Sequence, residues 1–202
     1  MKRPLIVGLG LVLWIGALAW GLRTLWAFSA APGPAAEAPP LWPEGTPLHR
    51  APDRGALVLF LHPLCPCSRA TLAELARALG SGAPADNVHV VFLQPEEPSE
   101  AWRESATWEE AGRLPGALRH LDEGSRVARR FGARTSGQAL YYDAAGRLRF
   151  QGGLTPARGH EGYSPGRATV EALLRGRPGP EGAPVTPVFG CQLGEERGDR
   201  VR

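Results

Sequence analysis

Two of the three cysteines in the chain flank a single proline, in the sequence HPLCPC that ends at Cys65, Pro66 and Cys67. Sulfur at this spacing supports thiol–disulfide exchange, coordination of a soft metal, or a structural disulfide. A disulfide within the pair would close a small, strained ring, and strained disulfides are the labile and more oxidising ones. The third cysteine, Cys191, is a second possible partner for either sulfur.

The cysteine pair lies between a predicted strand and a predicted helix. The continuous apolar run over residues 56–62 is typical of a strand buried on both faces of a sheet. Apolar residues then recur at helical spacing from Pro66 until the sequence reaches Gly80. Cys65 is thus predicted at the N-cap of a helix and Cys67 in its first turn, where unpaired N–H groups and the helix dipole favour a thiolate.

Residues around the pair strengthen this expectation. Arg69 and a protonated His62 would each lower the pKa of a thiol at the helix start. Pro66 is tolerated at the first helical position, because the N–H that it lacks would have no partner there. We therefore expect Cys65 to be a nucleophile that solvent reaches and that ionises easily.

The rest of the soluble region predicts an α/β domain. A second apolar run over residues 88–93 completes a right-handed βαβ unit with the first strand. The sequence QALYYDAAGRLRFQGG predicts a hairpin around a turn at residues 143–146. The other predicted elements are a helix over 99–113 with Ser99 as its N-cap, a strand over 117–122, a short helix ending at Gly132, and a helix over 164–176 capped by Ser164.

The N-terminal residues predict a membrane anchor. Lys2 and Arg3 precede an uncharged, mostly apolar run from Pro4 to Leu22, which Arg23 closes. As a helix this run would be about 28 Å long, close to the roughly 30 Å thickness of a bilayer core. Secretory signal peptides have a shorter apolar part, which favours a retained anchor. The two basic residues at the start stay in the cytoplasm by the positive-inside tendency, so the domain faces an oxidising compartment.

Composition sets the remaining limits. The chain has 202 residues, of which 43% are hydrophobic, and its formal net charge of +3 comes from the basic residues at positions 2, 3 and 23. The charge therefore gives no indication of nucleic-acid binding. The near absence of lysine among the 23 basic residues indicates a GC-rich bacterial genome, and we expect the protein at the periplasmic face of the inner membrane. The predicted organisation is an anchor over 1–28, a Pro/Ala-rich linker over 29–54, a domain over 55–193 and a disordered tail over 194–202.

Together these features resemble the thioredoxin-like superfamily over roughly residues 55–176. Phe60 lies five residues before Cys65, as the strand phenylalanine does before the nucleophile of thioredoxins, and an acidic turn, helix, loop and hairpin follow in the order of that family. The segments HPLCPCSRATLAEL, RTSG, GGLTPARGHEGYSPG and PVFGCQL are most similar to membrane-anchored bacterial thiol–disulfide proteins of the RedB group. The resemblance implies a three-layer α/β sandwich with a mixed sheet, preceded by one N-terminal transmembrane helix.

The resemblance also implies roles for single residues in a thiol–disulfide oxidoreductase. Cys65 matches the attacking cysteine, whose mixed disulfide Cys67 or Cys191 would resolve. Ser136 and Gly137 stand at about the position of the cis-proline that faces the nucleophile and helps to bind the substrate backbone. The implied partners are protein thiols or disulfides in the periplasm and a membrane or periplasmic redox donor. The predicted supporting residues are His62, Pro66, Ser68, Arg69 and His160.

Two other functions remain open from the residues. Cys65, Cys67 and Cys191 could bind copper or another soft metal together with His62. Without that metal, the prediction is a protein with no cofactor. Peroxide reduction ranks lowest, because His62 stands where peroxidases of this fold have a threonine. His160, in a glycine-flanked loop, could be a ligand or a general base, although a solvated loop histidine is the commoner case.

Overall fold

The structure, a computed structural model, describes residues 2–80, 87–95, 100–103, 105–177, 179 and 182–193. It divides into two compact units, one ending at Ala31 and one beginning at Pro32. The predicted tail over 194–202 and the N-cap predicted at Ser99 lie outside the described residues.

The first unit is a single helix, α1 (Lys2–Ala30). Its stretch Ile6–Ala30 is long and apolar enough to cross a membrane, and none of that stretch is buried within the protein. The predicted N-terminal helix is therefore confirmed. A membrane anchor and a signal sequence both have these properties.

A mixed five-stranded sheet forms the centre of the second unit, with the strand order β3-β2-β1-β4-β5. The first three strands are parallel, whereas β4 runs antiparallel to β1, and β5 to β4. The central strand β1 is buried along its whole length, as its continuous apolar run predicts. The strands are β1 (Ala56–Leu61), β2 (Val88–Gln94), β3 (Leu118–Glu123), β4 (Gln138–Tyr142) and β5 (Leu148–Gly152).

Five helices accompany the sheet within the residues that the structure describes. They are α2 (Pro66–Leu79), α3 (Glu100–Arg103), α4 (Ala106–Gly112), α5 (Arg126–Arg130) and α6 (Pro165–Leu174). The prediction of a single helix over 99–113 is wrong in one respect. The backbone of Ser105 is extended, and Ser105 is the N-cap of a separate helix, α4. Its hydroxyl accepts a hydrogen bond from the Trp108 amide, a role that competes with continuing a helix through serine.

Helices cover both faces of the sheet. On one face α2, α4 and α6 pack through a buried cluster that includes Leu75, Ala111 and Val170. On the other face α5 packs through Val127 and Ala128. Each fully buried leucine or valine side chain among these stabilises the fold by about 2 kcal/mol. The predicted three-layer sandwich with a mixed sheet is confirmed.

Residues that the sequence places in a linker pack against this domain. Leu48 is buried, and Trp42 packs edge-on against Phe131 and Tyr142. The short helix α5 leaves apolar sheet surface next to it uncovered, and these two side chains fill that surface. The compact unit therefore begins before the predicted domain start, at Pro32.

Candidate active site

Cys65 is the N-cap of α2, as the sequence predicts. Its backbone is extended, with φ −82° and ψ 122°, and Pro66 occupies the first helical position. The Cys65 carbonyl accepts a hydrogen bond from the Ser68 amide at 3.0 Å, and its amide donates one to the His62 carbonyl at 3.1 Å. These two bonds close the turn between β1 and α2, and they leave the Cys65 sulfur at the positive end of the helix.

The C-terminal part of the described chain brings Cys191 to the same place. Residues 184–186 run beside β5, since the amide of Thr186 donates to the Gln151 carbonyl and the amide of Gln151 to the Pro184 carbonyl. Residues 190–193, which we call the return segment, then pair antiparallel with the loop before β4, through a bridge between Gln192 and Thr135. Pairing at these two edges folds the predicted loop-like tail onto the domain.

The three cysteine sulfurs form one cluster. The Sγ atoms of Cys65 and Cys191 are 2.8 Å apart, and the side chain of Cys67 is hydrogen-bonded to Cys65. All three cysteines lie in the described part of the chain, and none is in a disulfide. The distance between Cys65 and Cys191 exceeds a disulfide bond of about 2.05 Å by less than an ångström, so a small displacement joins these two sulfurs.

Hydrogen bonds from both neighbours stabilise the Cys65 thiolate. They lower its pKa to about 4, with the Cys67 side chain as the largest cause; burial opposes the shift, and the Cys191 side chain and the amides of both neighbours add to it. The amide of Cys67 belongs to the first turn of α2. The amide at the helix start therefore lowers the pKa of Cys65, as predicted. The side-chain hydrogen bonds from Cys67 and Cys191 lower that pKa by more.

The pKa of Cys67 is shifted in the opposite direction. Its pKa is raised, first because its thiol donates to the Cys65 sulfur, then through burial and the negative charges of Cys65 and Cys191; the charge of Arg158 partly offsets these effects. Cys67 therefore stays a protonated thiol while Cys65 is a thiolate. A donor in this state is a poor nucleophile, because the thiolate is the reactive form.

The prediction that solvent reaches Cys65 is wrong. Cys65 is 2% exposed and Cys67 is 6% exposed, whereas Cys191 is half-buried. The return segment lies against the helix start and covers it. This cover could not be predicted from the sequence, because a Pro- and Gly-rich tail has no periodic pattern that determines its course.

Two serines join the helix start to the loop before β4. The hydroxyl of Ser68 donates to the His62 carbonyl at 2.8 Å and lies 3.0 Å from the hydroxyl of Ser136. The Ser136 hydroxyl in turn accepts from the His62 amide at 2.9 Å, and the Ser136 amide donates to the Cys191 carbonyl at 2.7 Å. Ser136 thus connects α2, the end of β1 and the return segment.

Gly137 lies beside Ser136 in a conformation that favours glycine. Its φ is +93°, and a Cβ atom there would lie 3.2 Å from the Thr71 hydroxyl oxygen. The Gly137 amide donates to the Phe60 carbonyl at 2.8 Å. The structure thus places Ser136 against Cys191 and Gly137 against the end of β1, and no peptide bond among the described residues is cis.

The charged and imidazole side chains predicted to support Cys65 have other partners. Arg69 is exposed and pairs with Glu110 at 3.4 Å. The His62 ring packs edge-on against Trp102, and its Nδ1 accepts a hydrogen bond from the Leu64 amide at 3.2 Å. The largest causes that lower the Cys65 pKa are the hydrogen bonds from Cys67 and Cys191, and not these two side chains.

Arg158 is a site residue that the sequence did not single out. Its Nη1 donates to the Gly190 carbonyl at 2.6 Å, and its charge acts on Cys67. His160, the residue predicted from this loop, is exposed and its Nδ1 donates to the Arg158 carbonyl at 2.9 Å. Arg158 is one of many arginines in the chain, and nothing in its loop sequence predicts that it lies near Cys67.

The alternative metal site is not assembled. Among the residues described by the structure, no group of three or more cysteine, histidine, aspartate or glutamate side chains is placed to hold a metal ion. The Nδ1 atom of His62 is already engaged by a backbone amide. The predicted ligand set of Cys65, Cys67, Cys191 and His62 is therefore not arranged as a metal site.

Neither a protein-family model nor a curated protein sequence matches the chain. Among solved structures, it is similar to a hypothetical protein from Sinorhizobium meliloti 1021, with a TM-score of 0.52 and 24% identity over 84% of this chain and 97% of that one. It is also similar to an uncharacterized conserved protein from Geobacillus kaustophilus, with a TM-score of 0.53 and 22% identity over 83% and 93% of the two chains. A thioredoxin-like superfamily protein matches with a TM-score of 0.43 and 20% identity over 72% of this chain and all of that one.

The mixed sheet with helices on both faces is the architecture that the resemblance to the thioredoxin-like superfamily implies. In this sheet, the carboxyl end of β1 and the beginning of β4 lie at the same edge, because the two strands are antiparallel neighbours with Phe60 opposite Gln138. That register brings Ser136 to the start of α2. The cysteine cluster thus lies outside the carboxyl ends of the parallel strands, where open α/β sheets bind their ligands.

Proposed function

We propose that the protein is a thiol–disulfide oxidoreductase whose redox pair is Cys65 and Cys191. The observation that carries this proposal is the 2.8 Å separation of their sulfur atoms, reached across the domain by a segment that is hydrogen-bonded in place. The buried, protonated Cys67 is then a hydrogen-bond donor to the pair rather than the resolving cysteine.

The charge distribution favours an oxidising pair. In the reduced state, the Cys65 thiolate is stabilised by hydrogen bonds that lower its pKa to about 4. A disulfide whose reduced form is stabilised takes electrons more readily, because its reduction potential rises. In one cycle the Cys65–Cys191 disulfide accepts two electrons from two substrate thiols, which become a disulfide. A thiol–disulfide redox partner then takes up these electrons and restores the Cys65–Cys191 disulfide.

Protein thiols or disulfides are the proposed substrates. The segments that resemble the RedB group surround the sulfur cluster, as HPLCPC and PVFGCQL carry all three cysteines. The second partner is a membrane or periplasmic redox protein that exchanges electrons with the pair. The balanced charge of the domain favours neither nucleic acid nor a polyanionic partner.

We further propose that α1 anchors the domain at the periplasmic face of a bacterial inner membrane. The length and apolar composition of Ile6–Ala30 support the span, and Lys2 and Arg3 support an N-terminus in the cytoplasm. The full chain produced in a bacterium should stay with the membrane in an alkaline wash, and protease added to spheroplasts should digest its domain. Recovery in the soluble fraction, or protection from the protease, would contradict this location.

The oxidoreductase proposal is tested by turnover of a protein disulfide. Full-length protein in detergent is supplied with dithiothreitol and oxidised insulin, and the precipitation of reduced insulin is followed. Cys65→Ser and Cys191→Ser should each lose at least about tenfold in rate, because either change removes one half of the pair. Cys67→Ser should keep much of the activity, since a hydroxyl can still donate to Cys65. Wild-type activity in Cys65→Ser would refute the proposal.

A further inference from the structure

Solvent accessibility differs between the two cysteines of the proposed pair. Cys65 is 2% exposed, although it has the more stable thiolate. Cys191 is half-buried, and its neighbour Gln192 is exposed. A polypeptide approaching from solvent therefore meets Cys191 before it meets Cys65.

The cover over Cys65 is backbone and not a single movable side chain. The return segment is held at both ends, because the Cys191 carbonyl accepts from Ser136 at 2.7 Å and the Leu193 amide donates to the Arg134 carbonyl at 2.7 Å. Leu193 and Val188 are buried in the domain. A rotation of the Cys191 side chain alone would leave this backbone in place beside Cys65.

Glycine at position 190 makes the fit close. A Cβ atom there would lie 1.8 Å from the Ser136 carbonyl oxygen, so only glycine allows this approach of the two backbones. Arg158 adds a further bond, from its Nη1 to the Gly190 carbonyl. The return segment is thus packed as a fixed part of the domain, with the Cys191 side chain between the solvent and Cys65.

We propose that substrates exchange with the sulfur of Cys191, and that Cys65 serves as its internal partner without forming a bond to the substrate. This inference rests on the proposed oxidoreductase function. It reverses the expectation from the sequence, in which Cys65 attacks the substrate and Cys191 resolves.

In the oxidising direction, a substrate thiolate attacks the Cys191 sulfur of the Cys65–Cys191 disulfide. A bond forms between the substrate sulfur and Cys191, and the disulfide breaks with its electron pair going to Cys65. A second substrate thiolate then attacks the bound substrate sulfur and releases Cys191, which takes up a proton. The substrate has lost two electrons as its two thiols became a disulfide, and the protein has gained them as a thiolate and a thiol.

The reducing direction is the reverse of these steps. The Cys191 thiol loses its proton to solvent, and its thiolate attacks a substrate disulfide and expels one substrate thiolate. The Cys65 thiolate then attacks the Cys191 sulfur, which releases the second substrate thiolate and forms the Cys65–Cys191 disulfide. Both directions place the mixed disulfide on Cys191.

The properties of Cys65 suit an internal leaving group. Exchange is faster when the sulfur that leaves has a low pKa, and it depends on which of the two sulfurs an attacking thiolate can reach. Cys67 and the first turn of α2 already donate hydrogen bonds to Cys65. These donors therefore need not move when Cys65 leaves as a thiolate and gains a negative charge. Attack at Cys65 would instead expel Cys191 and leave the charge on that sulfur.

The test traps the mixed disulfide on the full-length protein in detergent. The reagent is a cysteine-containing peptide activated as a mixed disulfide with thionitrobenzoate, whose release is coloured. Reduced Cys65→Ser and Cys191→Ser variants are compared at about pH 8.5, where ordinary thiols are half ionised, and the modified cysteine is identified by peptide mapping. The double variant Cys65→Ser/Cys191→Ser measures any background reaction at Cys67.

We expect Cys65→Ser to acquire the peptide on Cys191 at least about tenfold faster than Cys191→Ser acquires it on Cys65, because access decides which sulfur reacts. Equal or faster trapping on Cys65 would overturn the inference, while insulin turnover by the wild-type protein would leave the proposed function standing. A measurement without variants uses the oxidised wild-type protein mixed with excess reduced peptide and quenched in acid. The early mixed disulfide should be on Cys191, and its appearance on Cys65 would likewise overturn the inference.

Discussion

The amide of Ser136 donates a hydrogen bond to the carbonyl oxygen of Cys191 at 2.7 Å. The hydroxyl of the same serine lies 3.0 Å from that of Ser68 in the first turns of α2. One residue therefore ties the return segment to the helix start that carries Cys65. The approach of the Cys191 backbone to the start of α2 is in this way set by backbone pairing.

Removing the Cys67 thiol should raise the pKa of Cys65 from its value of about 4. A hydrogen bond to a charged group is worth about 1.5–3 kcal/mol, which corresponds to a rise of about 1–2 pKa units in Cys67→Ala. Cys67→Ser is the matched control, since its hydroxyl still donates, and it should show a smaller rise. The pH dependence of thiolate absorbance measures both, with Cys65→Ser used to assign the titration. An unchanged pKa in Cys67→Ala would mean that Cys67 does not stabilise the thiolate.

Gly190→Ala should uncover Cys65. The added Cβ would lie 1.8 Å from the Ser136 carbonyl oxygen, whereas the control change Gly80→Ala places a Cβ no closer than 3.2 Å to its nearest neighbour. The return segment must shift in the first variant and can stay in place in the second. Iodoacetamide should then alkylate Cys65 at least about tenfold faster in Gly190→Ala than in the wild type or the control, because its reaction requires an accessible thiolate. Equal alkylation rates in all three proteins would show that the return segment does not shield Cys65.

The sequence predicted those parts of the molecule that local patterns determine. The buried strand before Cys65, the helix that starts at Pro66 and the hairpin at residues 143–146 each have a period, a cap or a turn residue that identifies them. The interaction between Cys65 and Cys191 has no such signal, because it depends on pairing between segments far apart in the chain. Arg158 and Gly190 were missed for the same reason.

The carboxylate of Glu74 should be important for stability. Its side chain is fully buried in α2, where it pairs with Arg77 and with Arg167 of α6, the latter at 2.9 Å, and accepts from the Gly162 amide at 2.7 Å. Breaking a buried ion pair on one side costs about 3–5 kcal/mol, so Glu74→Gln should lower the free energy of unfolding by about 3 kcal/mol. Glu171→Gln, in a partly exposed pair with Arg167, should cost about 1 kcal/mol or less. Urea unfolding compares the two variants, and equal losses would contradict this role of Glu74.

His89 should make the domain less stable in acid. Burial, and then the charge of His120, lower the pKa of His89 from 6.5 to about 4, while its Nδ1 lies 2.9 Å from the Nε2 of His120. The unfolded chain therefore binds a proton between these two pH values that the folded chain does not. The stability is present above the unfolded pKa and is lost as the pH falls through this window, by about 3 kcal/mol.

This pH effect is measured by unfolding experiments at several pH values. His89→Leu should lack most of the loss seen in the wild type between about pH 7 and about pH 4, because leucine binds no proton. His160→Asn, which changes an exposed histidine, should retain the full loss. A wild-type pH dependence in His89→Leu would assign the acid sensitivity to other groups.

The pairing of Cys65 with Cys191 is tested most directly by mapping the disulfide of the full-length protein. The protein is equilibrated in oxidising glutathione buffer, quenched in acid, alkylated, and digested for mass spectrometry. We predict a disulfide between Cys65 and Cys191 with Cys67 alkylated as a thiol. A disulfide between Cys65 and Cys67, or any disulfide that contains Cys67, would contradict the account.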